Sequence, residues 1–359
     1  MNATESCSLI AEAGVNHNGD GKLALALVEA AAEAGSDAVK FQTFDPADLA
    51  TAGAPTADYQ KAAGEAGSQA EMLARLVLPE PALKAAADRA RALGLEFLST
   101  PFDIRAARFL VDDLGMGRIK VGSGELTNAP FLLALARMER PLILSTGMAT
   151  MDEVETALGV VAFGRLAEPG ERPSIQAFQA AWAAPEAAPV LAETIVMQCT
   201  TQYPAPDIDA NLRVMDSYAR LGVRPGYSDH TNGIAVALAA AARGAVAIEK
   251  HFTTSRDLPG PDQKASLEPG ELKALADGLK RISVALGSEG KQPQPSEIGN
   301  RVVARRGLVA ARPIAAGEPF TEDNLTAKRP GGGLEPIRMW ELLGRPSPRA
   351  YAADEAIEP

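Results

Sequence analysis

The chain contains three histidines, His17, His230 and His251, and two of them close short apolar runs. In "AVAIEKHFTT" (245–254) small and apolar residues give way to a glutamate, a lysine and a histidine side by side; in "RPGYSDHT" an aspartate and a histidine end a similar run. Two imidazoles at neighbouring strand ends can coordinate one divalent ion. With oxygen ligands completing the shell, that mixture suits manganese, cobalt, iron or zinc better than calcium. Two core histidines hydrogen-bonded to their neighbours are the plainer reading of the same residues. Lys40 and Lys120 also end apolar runs, in "AVKFQTF" and "RIKVGSGE". A lysine so placed either forms an imine with a carbonyl or holds an anion. The turns "KVGSGE" and "LSTGM" offer backbone N–H groups that could face a phosphate, although each alone is equally a simple turn. Glu12, closing "SLIAEAG", is the leading carboxylate for positioning water or moving a proton; its alternative is an ion pair with a nearby lysine.

These residues share one phrase, repeated along the chain: an apolar run, a polar end, then a helical pattern. The runs are "SLIAEAG", "AVKFQTF", "EFLSTPF", "RIKVGSGE", "PLILSTGM", "TIVMQCTTQYP", "RPGYSDHT" and "AVAIEKHFT". Between them, segments such as "KLALALVEAAAEAG" and "EPALKAAADRARALG" carry apolar residues at helical spacing and stop on glycine. Alternating strands and helices imply parallel pairing through crossovers, and eight such units predict an α/β protein built as a (β/α)8 TIM barrel. The active site of such a barrel lies at the carboxyl ends of its strands. That position collects Glu12, Lys40, Gln42, Thr100, Lys120, Ser123, Ser145, Thr201, Tyr203, Asp229, His230 and His251. The barrel is expected over residues 1–288, with 165–192, rich in Ala and Pro, as an inserted surface loop with a partial helix. A polar, proline-bearing linker over 289–300 then leads to a small module over 301–359, read as short strand-like runs broken by turns.

Composition narrows the class of function. The 359 residues are 46% hydrophobic and 23% charged, as in a soluble globular protein, and the formal charge of −11 argues against a general nucleic-acid surface. An anionic substrate would be repelled by that charge, so a phosphate site must concentrate cations locally. Neither a signal peptide nor an apolar stretch of ~20 residues is read, which leads to the expectation of a cytoplasmic protein with no membrane partner. Cys7 and Cys199 lie in or beside apolar runs, and buried thiols are expected rather than a disulfide or a zinc ribbon.

In order along the chain, "AEAGVNHNGD", "VKFQTF", "STPFD", "KVGSGELTN", "LSTGMAT", "CTTQYP", "GYSDHT", "EKHFT" and "GPDQKASLEP" resemble the N-acetylneuraminate (sialic acid) synthase family of nonulosonic acid synthases. The tail from Arg306 through "KRPGGG" is similar to that family's C-terminal SAF (antifreeze-like, β-clip) domain, and only 165–192 falls outside the resemblance. The resemblance implies a transferase that condenses phosphoenolpyruvate with the open-chain aldehyde of an N-acylated mannosamine-type sugar, releasing phosphate and forming a nine-carbon 2-keto acid. It implies His230 and His251 as metal ligands, for Mn2+ first, with Mg2+ or Co2+ as alternatives. Glu12 becomes the catalytic carboxylate. Lys40, Lys120, Ser123 and Ser145 match phosphoenolpyruvate-binding positions, which favours anion holding over the imine. Gln42, Tyr203 and Asp262 match positions lining the two substrates, and Thr100 and Thr201 join the substrate-binding set. A homodimer is implied in which the SAF module of one subunit covers the barrel mouth of the other, with Arg329 reaching the N-acyl group.

The acceptor is left between two sugars. N-acetylmannosamine, giving N-acetylneuraminate, is the first expectation. Its alternative is 2,4-diacetamido-2,4,6-trideoxymannose, giving N,N'-diacetyllegionaminate, because Thr201 stands where many sialic acid synthases carry Asn. Gln263, in "GPDQ" where "GPDH" is more usual, is expected to remove an imidazole from the site's edge. A pseudaminate synthase, a pyruvate aldolase with a Schiff base on Lys120, and a sugar-binding barrel without activity are weaker alternatives.

Overall fold

The computed structural model describes residues 6–49, 51, 68–168, 170–329 and 333–358. Eight parallel strands form one sheet: β1 (Ser8–Gly14), β2 (Ala38–Thr43), β3 (Glu96–Pro101), β4 (Ile119–Val121), β5 (Leu142–Ser145), β6 (Ile195–Cys199), β7 (Arg224–Asp229) and β8 (Ala247–His251). Their order, β3-β2-β1-β8-β7-β6-β5-β4, pairs the first strand with the last. Helices on the outside connect them, so the unit is the expected (β/α)8 barrel. Each of the eight apolar runs read from the sequence contains one strand.

Alternation along each strand separates two kinds of side chain. On β1, Leu9 and Ala11 face the surrounding helices, while Ile10 and Glu12 point inward; all four are buried. The inward rows of β3, β5 and β6 carry Leu98, Ile143 and Met197 below Thr100, Ser145 and Cys199. The barrel therefore has an apolar floor and a polar layer at its carboxyl end. Register sets that layer: Glu12 is opposite Lys40 on β2 and His251 on β8, and Gln42 is opposite Thr100 on β3.

The helices follow local sequence rules. Gly21–Ala34 starts at Asp20, whose carboxylate accepts from the Lys22 N–H, and stops at Gly35 in the left-handed region at φ +81. Met151–Leu166 begins with a Thr150/Glu153 capping box. The 165–192 stretch is more helical than a loop with a partial helix. Ile175–Ala183, capped by Ser174, and Ala187–Glu193 follow one another there. Phe178 packs edge-on against Phe163 at 5.3 Å, and Ala187 and Leu191 enter the barrel core. Apolar residues at helical spacing within the Ala-rich stretch account for the difference.

Contacts divide the chain between Gly287 and Ser288. In the second unit, β9 (Gly307–Ala310) and β10 (Leu325–Lys328) pair antiparallel. Single bridges Val309–Ala356, Ile314–Tyr351 and Pro319–Pro346 surround them. Leu308, Ile314, Phe320, Leu325, Tyr351 and Ile357 form its own core. A helix, Ile298–Ala304, begins in the last residues of the stretch expected as linker and runs into the expected module.

Candidate active site

Glu12, Lys40, Gln42, Thr100, Lys120, Ser123, Ser145, Thr201, Tyr203, His230 and His251 all line one cavity of about 170 Å³ at the carboxyl ends of the strands. They arrive from β1 to β8 or the residues just beyond them, as the strand-end argument requires. Asp262 lines an adjoining cavity that shares Gln42, Tyr203 and His251 with the first. Arg329 is exposed just after β10, in the second unit, and Pro330–Gly332 of its motif lie outside the described residues. Asp229, the other polar residue at the end of β7, points the opposite way: it is buried behind the barrel wall, 2.8 Å from Lys250 Nζ.

The centre of the cavity is a charge cluster. Lys40 Nζ pairs with Glu12 and donates to Thr100 Oγ1 at 3.0 Å. Lys120 Nζ donates to Ser145 Oγ at 2.8 Å. Glu249, absent from the sequence-derived set, joins the two lysines, with Oε1 3.3 Å from Lys120 Nζ and Oε2 3.7 Å from Lys40 Nζ. Ser228, also absent from that set, donates to Glu249 Oε1 at 2.8 Å. The period-two face of β8 was the available signal, since Glu249 and His251 must point the same way and Lys250 the other. Two buried cations thus meet two buried carboxylates, and the pairs offset the desolvation that isolated charges would suffer.

The carboxylates differ. Burial raises the carboxyl of Glu12 and outweighs the opposing attraction of Lys40. Burial also works against ionisation of Glu249, but Lys120, Lys40 and the Ser228 hydroxyl bring its carboxyl down to about 2. For Lys40, burial is opposed by Glu12 and Glu249, and the net direction is upward. Two carboxyls pushed apart by their surroundings are suited to different tasks. Glu249 is a fixed counter-ion, and Glu12, which accepts a further bond from Gln42 Nε2 at 3.2 Å, is the one placed to exchange a proton.

Two imidazoles border this cluster. His230 Nδ1 lies 2.6 Å from the Thr200 carbonyl, which can only accept, so the proton sits on Nδ1 and the Nε2 lone pair is left toward Ser228 at 3.4 Å. His251 Nδ1 is buried without a hydrogen-bond partner among the described residues. Burial, with His251 beside it, lowers His230 to about 4; burial, with Lys40 beside it, lowers His251 to about 3. Both rings are therefore neutral at ordinary pH, the form that binds metals. Their centroids are 5.7 Å apart, within the ~6.5 Å that two rings span when each holds one ion at ~2.1 Å. Neutral rings, a spare lone pair and an orphaned nitrogen fit a divalent ion. Among the described residues no cluster of three or more His, Cys, Asp or Glu stands ready for a metal, so other ligands must complete the shell. Tyr203 packs against His230 at a tilt of 34°, with ring centroids 4.2 Å apart, and meets His251 edge-on at 5.6 Å.

A second group surrounds the turns after β4 and β5. Ser123 Oγ accepts from the Gly147 N–H at 2.9 Å and lies 3.1 Å from Cys199 Sγ. A side chain at Gly147 would run into Thr201 Oγ1 and Ser123 Oγ, so glycine is needed for this approach. Gly14 is similar. At φ +53, a Cβ there would stand 3.3 Å from Glu12 Oε1 and from His251 Cε1.

Gln263 does not stand at the site's edge as expected. It is fully buried, accepting from Thr253 Oγ1 and donating to the Asn16 carbonyl at 3.0 Å. It ties the loop carrying Asp262 to the loop after β1. His17, the third histidine, is buried against Phe41 outside both cavities, its Nδ1 accepting from the Gly19 N–H at 3.0 Å. Among the described residues, no helix is long and apolar enough to cross a membrane. Cys7 and Cys199 are free thiols.

A family description of the NeuB family matches residues 27–291, and one of the SAF domain matches 305–359. The chain is 42% identical over 353 residues to the N,N'-diacetyllegionaminic acid synthase of Campylobacter jejuni, covering 97% of this chain and 98% of that one. It is 40% identical to the N,N'-diacetyllegionaminic acid synthase of Legionella pneumophila, covering 94% and 90%. Among solved structures, the N-acetylneuraminic acid (sialic acid) synthetase of Leptospira borgpetersenii in complex with citrate is similar with a TM-score of 0.65 at 30% identity, covering 83% of this chain and 92% of that one.

Proposed function

The chain belongs to the NeuB family, and we propose that it condenses phosphoenolpyruvate with 2,4-diacetamido-2,4,6-trideoxymannose to give N,N'-diacetyllegionaminate and inorganic phosphate. Two relatives of near full-length coverage carry that synthase name, which supports this acceptor over N-acetylmannosamine, the first expectation from the sequence. The observation that carries the reaction is the cluster of Lys40, Lys120, Glu12 and Glu249 between a serine-lined turn and two neutral imidazoles.

In this reading Lys40 and Lys120 hold the anionic groups of phosphoenolpyruvate, with Ser123 and Ser145 donating to them. Such fixed cations are useful because the chain as a whole, at −11, repels an anion. The acceptor lies along Gln42, Tyr203 and Asp262, its aldehyde near the imidazoles. The C2–C3 π pair of phosphoenolpyruvate forms a bond from C3 to the aldehyde carbon, the carbonyl π pair moves to the aldehyde oxygen, which takes up a proton to become a hydroxyl, and a water oxygen adds at the electrophilic C2. The C2–O bond to phosphate then breaks, leaving the 2-keto acid. Glu12 holds the attacking water and takes its proton. His230 and His251 would hold a divalent ion, manganese first, which when bound would supply Lewis-acid chemistry at a carbonyl oxygen. Thr100 keeps Lys40 in place. The homodimer, with Arg329 serving the N-acyl group, is part of the proposal.

An imine on Lys120 is the weaker reading. Its nitrogen donates to Ser145 and pairs with Glu249, and an ion-paired ammonium has no lone pair with which to attack. The test is phosphate release from phosphoenolpyruvate with manganese present, run in parallel with 2,4-diacetamido-2,4,6-trideoxymannose and N-acetylmannosamine. Higher kcat/KM with the first is expected. A higher value with N-acetylmannosamine overturns the acceptor, and pyruvate trapped by borohydride without phosphate release overturns the reaction.

A further inference from the structure

The cavity that Asp262 lines has a volume of about 280 Å³ and adjoins the charged one through Gln42, Phe102, Tyr203 and His251. Its far wall has the opposite chemistry. Val15, Leu49, Met72, Leu73 and Leu76 line it, with Gln69 as the polar residue among them, and with Phe44 and Phe102 the five apolar residues belong to a small cluster separate from the barrel core. Three of the five come from the helix Gln69–Leu76, whose start is fixed by a Ser68/Glu71 capping box. That helix lies between β2 and β3, so the wall comes from a connection rather than from strand ends. No lysine or arginine is among the described residues lining the cavity. The carboxyl among those described residues, Asp262, is raised by burial and by Glu12 to about 7.

Such a wall sorts ligands by their ends. A phosphate there would meet no cation among the described residues, and a hydroxyl set against Leu49, Met72 and Leu73, away from Gln69, would give up water without a replacement partner. A methyl group would lose nothing of that kind. His251 and Tyr203 border both cavities, so a molecule reacting beside the imidazoles has its remaining length directed to this recess.

We propose that the recess receives the methyl-terminated end of the acceptor, with carbon 6 against Leu49, Met72 and Leu73, and so selects a 6-deoxy amino sugar over its 6-hydroxyl counterpart. This rests on the condensation argued above and adds the residues that choose the acceptor.

The experiment compares kcat/KM for three acceptors in the full-length, manganese-loaded enzyme by phosphate release. They are 2,4-diacetamido-2,4,6-trideoxymannose, the same sugar with a 6-hydroxyl, and that sugar's 6-phosphate. The 6-deoxy sugar is expected to lead the 6-hydroxyl sugar by roughly 10–100-fold, the range an apolar pocket achieves against an added hydroxyl, with no turnover of the 6-phosphate. Leu73→Asn, and Leu49→Thr at a less buried position, should each reduce that ratio several-fold through the acceptor KM while leaving the KM for phosphoenolpyruvate in place. Leu73→Met should keep the ratio. A wild-type ratio near one, or a ratio unmoved in both polar variants, overturns the recess and leaves the condensation standing. No phosphate release with any acceptor overturns both.

Discussion

Glu249→Gln keeps the side chain's size and its contact with Ser228 but removes the carboxylate that, among the described residues, ion-pairs with both lysines. Among the described residues, the two buried ammonium groups are then left with one ion-pair partner, Glu12 beside Lys40. Burial opposes ionisation of Glu249, yet Lys120, Lys40 and Ser228 bring its carboxyl from 4.5 to about 2. Breaking one partner out of a buried ion pair costs about 3–5 kcal/mol. For a barrel of this size the loss amounts to a fall in melting temperature of roughly 5–10 °C at neutral pH. The sign in pH follows from the depression. The stabilisation is fully present above about 4.5 and is lost as pH falls toward about 2, so wild type and variant should converge in acid. A second consequence separates this account from simple damage to the core. The surplus positive charge makes the variant a better anion binder, so inorganic phosphate should raise its melting temperature more than it raises that of the wild type. Thermal unfolding by circular dichroism, with and without phosphate, reads both effects. Equal melting temperatures at neutral pH, or a smaller phosphate effect in the variant, would refute the counter-ion role.

Three further outcomes are expected. His251→Ala should leave the circular dichroism spectrum intact and abolish tight manganese binding in calorimetry; wild-type affinity in the variant would remove His251 from the metal site. For Asp262, whose carboxyl is raised from 3.8 to about 7 chiefly by burial, the unfolded chain releases a proton that the folded chain retains. Its contribution to stability therefore falls as pH rises from about 4 to 7, and Asp262→Asn should be more stable than wild type at neutral pH with a flatter profile, which denaturant titrations across that range would show or contradict. Gly147→Ala pushes a methyl group into Thr201 Oγ1 and Ser123 Oγ and to 3.0 Å from Cys199 Sγ. It should destabilise by about 1–3 kcal/mol and raise the KM for phosphoenolpyruvate at least several-fold, whereas an unchanged KM would place the turn outside the anion site.

The barrel and most of its charged mouth are legible in the sequence because a parallel strand is written as an apolar run, and its exit from the core is marked by the first polar residues. That rule found Lys40, Lys120, His230 and His251. It passed over Glu249, which lies one step deeper on β8 among residues that read as core. Its reason for being there is spatial, since Lys40 and Lys120 are far away in sequence and meet it only when β1 closes against β8. The motif resemblance, in turn, misplaced Gln263, because a polar residue in a motif looks like a site residue until its partners, Thr253 and Asn16, are seen to be internal.

A division of labour follows for how such a barrel acquires its acceptor. The groups that handle charge sit on strands, where register holds each one against its neighbour and a substitution disturbs several ion pairs together. The apolar recess is built mainly by a short helix in the connection between β2 and β3, where Met72, Leu73 and Leu76 can change without touching Lys40, Lys120 or Glu249. Thr201 lies beside the serine turn in the charged cavity and outside the recess, so its identity reports first on the anion end of the site. If the recess chooses the sugar, then exchanging residues on Gln69–Leu76 should alter acceptor preference more than Thr201→Asn does. An acceptor ratio governed by Thr201 instead would return the choice to the strand ends.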